Sequence, residues 1–141
     1  MKKLLLTAVV AFSTLVASAQ FMVVTTYDGD HEESMDKISA NMGIGYMVND
    51  MITVGLANGG DDAAGEGTYD VFARYNISQM EGAYASLTMP GDDAEDMSIG
   101  VGFAFNVWNG LYVEPNYSMP TSEDADGNRE GSFNFGLSYR F

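Results

Sequence analysis

Beyond residue 20 the chain alternates apolar and polar residues almost to its end, a period of 2 that favours β-strands and leaves little room for helix. In the final stretch Phe133, Phe135, Leu137, Tyr139 and Phe141 share one face, and Asn134, Gly136, Ser138 and Arg140 share the other. Met97, Ile99, Val101, Phe103, Phe105 and Val107 oppose Ser98, Gly100, Gly102, Ala104 and Asn106. Ile38, Ala40, Met42, Ile44, Tyr46 and Val48 oppose Ser39, Asn41, two glycines and Met47, while Ile52, Val54 and Leu56 oppose Thr53, Gly55 and Ala57. Tyr69, Val71, Ala73, Tyr75 and Ile77 oppose Asp70, Phe72, Arg74 and Asn76, and Leu111, Val113, Pro115, Tyr117 and Met119 oppose Tyr112, Glu114, Asn116 and Ser118. Two segments are weaker: 21–27 is an apolar run ending in Thr, and 80–89 sets Ala83, Ala85, Leu87 and Met89 against Tyr84, Ser86 and Thr88. The pattern predicts eight strands.

The connections alternate in length. Asp50, Ser78-Gln79 and Trp108-Asn109 mark three tight turns, and between them fall four longer loops at 28–37, 58–67, 90–96 and 120–130. In an up-and-down meander, alternate connections share an end, so the four long loops emerge together and the tight turns share the opposite end with both termini. Of the 20 acidic residues, 16 fall in those loops; the exceptions are Asp50, Asp70, Glu81 and Glu114. Eight strands of about ten residues use roughly 80 positions and leave about 40 for seven connections, which agrees with the loops as read. One domain over 21–141 is expected.

Residues 1–20 read as a cleaved export signal. Lys2 and Lys3 precede a short apolar stretch, and Ala17-Ser18-Ala19 sets small residues at the cleavage positions. The stretch falls short of the ~20 apolar residues that span a bilayer as a helix. Removing it leaves 4 Lys and Arg against 20 acids, a formal charge of −16. So acidic a chain repels phosphate backbones, which argues against a nucleic-acid partner. With 0 Cys there is no disulfide, zinc–thiolate site or thiol catalysis, and 1 His argues against a multi-histidine metal site. No cofactor is expected.

Strands with one apolar and one polar face suit two opposite objects: a soluble barrel with its apolar side inward, or a membrane barrel with that side in lipid. Three features favour the membrane. The polar set mixes Asp70, Arg74, Glu114, Arg140 and several Asn with many Gly, Ala and Ser, suiting a confined interior better than a solvated face. Aromatics gather near strand ends, with Tyr46, Tyr75, Phe105, Trp108, Tyr139 and Phe141 toward the tight turns and Tyr27, Tyr69 and Tyr117 toward the loops; two such bands are expected where rings sit at headgroup depth. An even number of strands with adjacent termini can close and leave no unpaired edge in hydrocarbon. The fold expected is an all-β, eight-stranded antiparallel up-and-down transmembrane barrel. The alternative is a soluble secreted or periplasmic lipocalin-like barrel around an apolar ligand.

The last nine residues, Phe133-x-Phe135-Gly136-Leu137-Ser138-Tyr139-Arg140-Phe141, resemble the closing strand of small eight-stranded bacterial outer-membrane barrels, the OmpA transmembrane domain and its OmpX/Ail relatives. The rest of the chain is similar to that family in strand count, alternation and loop asymmetry. The resemblance implies a bacterial outer-membrane location, outer-membrane lipid as surroundings, and no general porin channel. It also implies that Phe133, Phe135, Leu137, Tyr139 and Phe141 carry the signal read by the outer-membrane assembly machinery. Because Phe141 ends the sequence, the peptidoglycan-binding domain of full-length OmpA-type proteins is not expected, and cell-wall tethering is not carried over.

An eight-stranded barrel is only wide enough inside for side chains. Asp70, Arg74, Glu114 and Arg140 would therefore form a paired polar network in the lumen, two charges of each sign, with a narrow ion path as the sharper reading. His31 and Ser34, in the acidic first loop, raise the possibility of a lipid A-modifying enzyme, since the eight-stranded outer-membrane acyltransferase and deacylase use His, Ser and an acid near that end. A lone His among acids is more often simply solvated, and no enzymatic activity is expected. Asp124-x-Asp126-Gly127-Asn128-x-Glu130 is a weak calcium candidate, with Asp124, Asp126, Asn128 and Glu130 as ligands; an EF-hand loop has its Gly sixth, whereas Gly127 comes fourth. Diffuse attraction of divalent cations to the acidic loops is the broader expectation. A structural or surface-interaction role in the envelope follows, such as integrity or adhesion, with a monomer expected.

Overall fold

The computed structural model describes residues 20–27, 41–61, 64–91 and 94–141. Its strands are β1 (Phe21–Thr26), β2 (Gly43–Met47), β3 (Ile52–Asp61), β4 (Gly67–Asn76), β5 (Ala83–Pro90), β6 (Ser98–Phe103), β7 (Phe105–Trp108), β8 (Leu111–Pro120) and β9 (Ser132–Arg140). A single 3-10 turn, Ala94–Asp96, is the only helical element among the described residues. Strands adjacent in sequence pair antiparallel except β6 and β7, β1 also pairs with β9, and the β6–β8 pairing closes the sheet on itself. β6 and β7 are two parts of one stave, because both lie against β8 in the same register, Gly102 opposite Asn116 and Phe105 opposite Val113. The result is a closed up-and-down barrel of eight staves. The seam between first and last strands is completed by the Phe141 amide donating to the Phe21 carbonyl at 3.0 Å.

Connections β1–β2, β3–β4, β5–β6 and β8–β9 lie at one end; the three short ones, with Phe21 and Phe141, lie at the other. The shortest turn is centred on Asn109 and Gly110, with φ of 38° and 92°, one residue later than Trp108-Asn109. Both residues therefore adopt the left-handed conformation that a two-residue hairpin needs to match strand twist, and Asn-Gly is the pair that tolerates it most cheaply. At the Asp50 turn the Asn49 side chain accepts from the Met51 and Ile52 amides, both at 2.8 Å.

Two elements differ from the sequence reading. The β3–β4 ladder runs deeper into the predicted 58–67 loop, with Asn58 opposite Tyr69 and Asp61 opposite Gly67. A register shift between Asn58 and Gly60 hides that continuation from a strict period of 2. On β1, Met22 is turned inward at 1% exposure, a choice the uniformly apolar start of the strand could not reveal.

The barrel is apolar on the outside. Trp108 is 72% exposed, Phe133 63% and Val101 58%, and Tyr46, Leu56, Tyr69, Val71, Tyr75, Ile99, Phe105 and Phe135 stand on the same outer surface. Tyr139 and Phe141 pack edge to face at 4.9 Å beside the tight-turn end. Buried positions include Thr53, Glu114 and Ser138, so the interior holds the polar groups. This polarity contradicts the lipocalin-like alternative, whose outer wall would have to face water with its aromatic rings exposed. A closed sheet with every strand paired, apolar where it meets its surroundings, is the build of a membrane-spanning barrel. Among the described residues no helix is long and apolar enough to cross a membrane.

Candidate functional site

Inside the barrel, small residues make room for a few large ones. One lateral row runs Met22, Gly45, Gly55 and Phe72 across β1 to β4. A Cβ on Gly55 would come within 2.5 Å of the Phe72 ring, so the ring occupies the space that glycine vacates. Gly102 plays the same part for Tyr84, whose ring a Cβ would approach to 2.6 Å. Gly55 and Gly102 thus make room for inward rings, and the Tyr84 ring in turn supports Arg74.

Glu114 is the centre of the lumen. Its carboxylate accepts a two-pronged contact from Arg74, Nη1 to Oε1 at 2.9 Å and Nη2 to Oε2 at 2.7 Å. This parallel geometry is the strong form of an Arg–carboxylate pair. Ser138 Oγ donates to Oε1 at 2.6 Å, and Arg140 Nη2 approaches the same oxygen at 3.4 Å. Arg74 comes from β4, three staves from β8, so the contact ties opposite parts of the wall across the lumen. Ser138 and Arg140 come from β9, the stave next to Glu114. Each guanidinium lies over an inward ring: Arg74 over Tyr84 and Arg140 over Tyr112, both at 4.0 Å from the ring centre. These cation–π contacts hold the planar groups, while Glu114 balances one of their two positive charges.

The arrangement differs from two matched pairs. One carboxylate is shared by two arginines, and Asp70 belongs elsewhere. Asp70 lies on the same inner face of β4 but four residues nearer the loops, roughly 13 Å along the strand. There it lines a cavity of about 350 Å³ whose floor is Arg74, Glu114 and Tyr84 and whose wall includes Asn58, Thr88, Ser118 and Asn134. The wall residues all sit at the loop ends of their strands, so the cavity is a polar cup above the ionic cluster. Tyr84, Tyr112 and Ser138 complete the cluster and were not singled out from sequence. Their place in the inward phase of the alternation was the available signal.

Asp124, Asp126, Asn128 and Glu130 do not form a cation cage. Asp124 Oδ1 accepts from the backbone amides of Asp126 and Asn128, both at 2.9 Å, and the Asp124 amide donates to the Asn128 carbonyl at 2.9 Å. One oxygen of the Asp124 carboxylate thus organises its own turn. Among the described residues no group of three His, Cys, Asp or Glu side chains is placed to hold a metal. His31 and Ser34 lie outside the described residues, as do residues 1–19, the stretch read from sequence as an export signal. Phe133, Phe135, Leu137, Tyr139 and Phe141 lie along the outer side of the closing stave, with Phe133 and Phe135 edge to face at 5.2 Å.

No family model matches the chain, and no curated protein matches it. Among solved structures, it is similar to the outer membrane protein Ail of Yersinia pestis, whose backbone structure is known in a phospholipid bilayer nanodisc. Identity is 15% over 88% of this chain and 100% of that one, with a TM-score of 0.46. It is also similar to outer membrane protein AlkL, solved by solid-state NMR in DMPC lipid bilayers. There identity is 13% over 86% of this chain and 90% of that one, with a TM-score of 0.41.

Proposed function

We propose that this chain is an integral barrel of the bacterial outer membrane with a structural or surface-interaction role, such as envelope integrity or adhesion. The observation that carries the reading is the inverted polarity of the wall: aromatic and aliphatic outside, with a shared carboxylate and two arginines inside. The cluster of Arg74, Glu114 and Arg140 acts as a polar plug that braces the barrel across its lumen. The loops at the cup end carry most of the acidic residues and face the cell exterior, where anionic headgroups approach them through bridging divalent cations. The aromatic outer side of the closing stave serves as the assembly signal.

Cell fractionation tests the location. The protein is expected in the outer-membrane fraction and to migrate differently in SDS gels before and after boiling. Release by osmotic shock, with a single mobility, would contradict it. The role is tested by deleting the gene: increased detergent sensitivity or reduced surface attachment is expected, and a null strain indistinguishable on both counts would remove the proposed role while leaving the location intact.

A further inference from the structure

We propose that the outer wall at β6, β7 and β8 carries a groove that holds one acyl chain of a bilayer lipid. The proposal rests on the membrane reading above and adds a specific site to an otherwise uniform lipid-facing surface.

The groove begins with an interruption in the ladder. β8 pairs with β6 up to Gly102–Asn116 and with β7 from Phe105–Val113, and no pair forms at Phe103 or Ala104. The shared register sets Phe103 opposite Pro115, which has no N–H to donate. The Ala104 amide turns to the other neighbour and donates to the Gly82 carbonyl at 2.8 Å. Over this interval the wall is hollowed on its outer side by a depression of about 430 Å³. That volume falls within the range of small-molecule sites, roughly 300–1,000 Å³.

The sides of the hollow explain its depth. Phe103 and Phe105 stack at 6.0 Å with their planes 19° apart, forming one bank. Phe133 contributes to the lining from β9, and Ala83, paired opposite Phe103, puts the smallest apolar side chain where another strand would offer Leu or Val. Tyr84 and Asn116 line both this hollow and the polar cup, so they form part of the wall between them.

The occupant follows from the lining and the place. No charged side chain lines the hollow, so neither an ionic headgroup nor a charged peptide has a partner in it. It is continuous with the exposed belt at Val101 and Tyr117, which lipid chains cover in a membrane barrel. A flexible hydrocarbon chain can enter between ring faces and gain dispersion contacts on several sides, whereas a convex wall offers contact on one.

The test uses the full chain refolded into phospholipid nanodiscs containing a lipid with a diazirine midway along one acyl chain. After irradiation, adducts are mapped by mass spectrometry. Labelling at Phe103, Pro115 and Phe133 is expected several-fold above that at Val54 and Leu56, which are lipid-facing on β3. Ala83→Leu fills the hollow and is expected to bring those three down to the β3 level without changing β3. Even labelling around the wild-type belt would overturn the groove while leaving the membrane reading intact. So would protection of the hollow by a second copy, seen as barrel-to-barrel crosslinks there. Labelling at neither place would overturn both. The wild-type ratio decides the matter by itself should Ala83→Leu fail to fold.

Discussion

Two ion pairs in this protein have the same chemistry and different surroundings. Arg74 meets Glu114 at 2.7 Å with side chains 10% and 3% exposed; Arg129 meets Glu123 at 3.5 Å with side chains 49% and 57% exposed. The loop pair competes with water and ions for each partner, so little is lost when it breaks. The lumen pair has no such competitor: its partners are already stripped of bulk water and are held by rings, a hydroxyl and a second arginine. Removing Glu114 there leaves two arginines without a counter-charge, and that penalty exceeds the attraction lost. The comparison teaches that the few charges inside the barrel matter more to its integrity than the many in its loops.

Substitutions can break or sharpen this contrast, each read as a shift in denaturant unfolding of the barrel in lipid or detergent. Glu114→Ala is expected to have the largest effect, about 3–5 kcal/mol, because both arginines lose the same carboxylate. Arg74→Ala should cost less, about 2–3 kcal/mol, since Arg140 and Ser138 remain to solvate Glu114. Arg140→Ala should cost about 1 kcal/mol, in keeping with its longer contact and partial exposure. Glu123→Ala in the loop should fall within about 0.5 kcal/mol of the parent. An equal cost for Glu114→Ala and Glu123→Ala would remove the distinction between lumen and loop. Equal costs for the two arginines would show that the carboxylate is shared evenly despite the difference between 2.7 and 3.4 Å.

Much of this architecture is legible in the alternation. The phase of each strand places Arg74, Glu114, Arg140, Tyr84 and Tyr112 on the inner side, and loop spacing fixes which end carries the acidic residues. Phase does not give height. Whether Arg74 meets Glu114 depends on the stagger accumulated across three staves and 40 positions of chain, and no local pattern encodes it. Height likewise sets Asp70 in the cup, four residues nearer the loops than Arg74. Where both faces are apolar, as at Phe21-Met22-Val23-Val24, even the phase is lost, and only pairing with β2 and β9 turns Met22 inward. Glycine carried information that composition alone obscured: Gly55 and Gly102 are the places where Phe72 and Tyr84 sit.

The central claim is the direction in which each strand faces, and it can be measured directly because the chain has 0 Cys. Single spin labels introduced at Val101→Cys and Val54→Cys, and at Ser86→Cys and Ser118→Cys, can be compared in lipid bilayers by collision with oxygen and with a water-soluble nickel chelate. The account predicts that labels at 101 and 54 collide with oxygen and not with the chelate, while those at 86 and 118 show the weaker oxygen response of a polar interior. The reverse pattern, with 101 and 54 open to the chelate and 86 and 118 in an apolar environment, would contradict it.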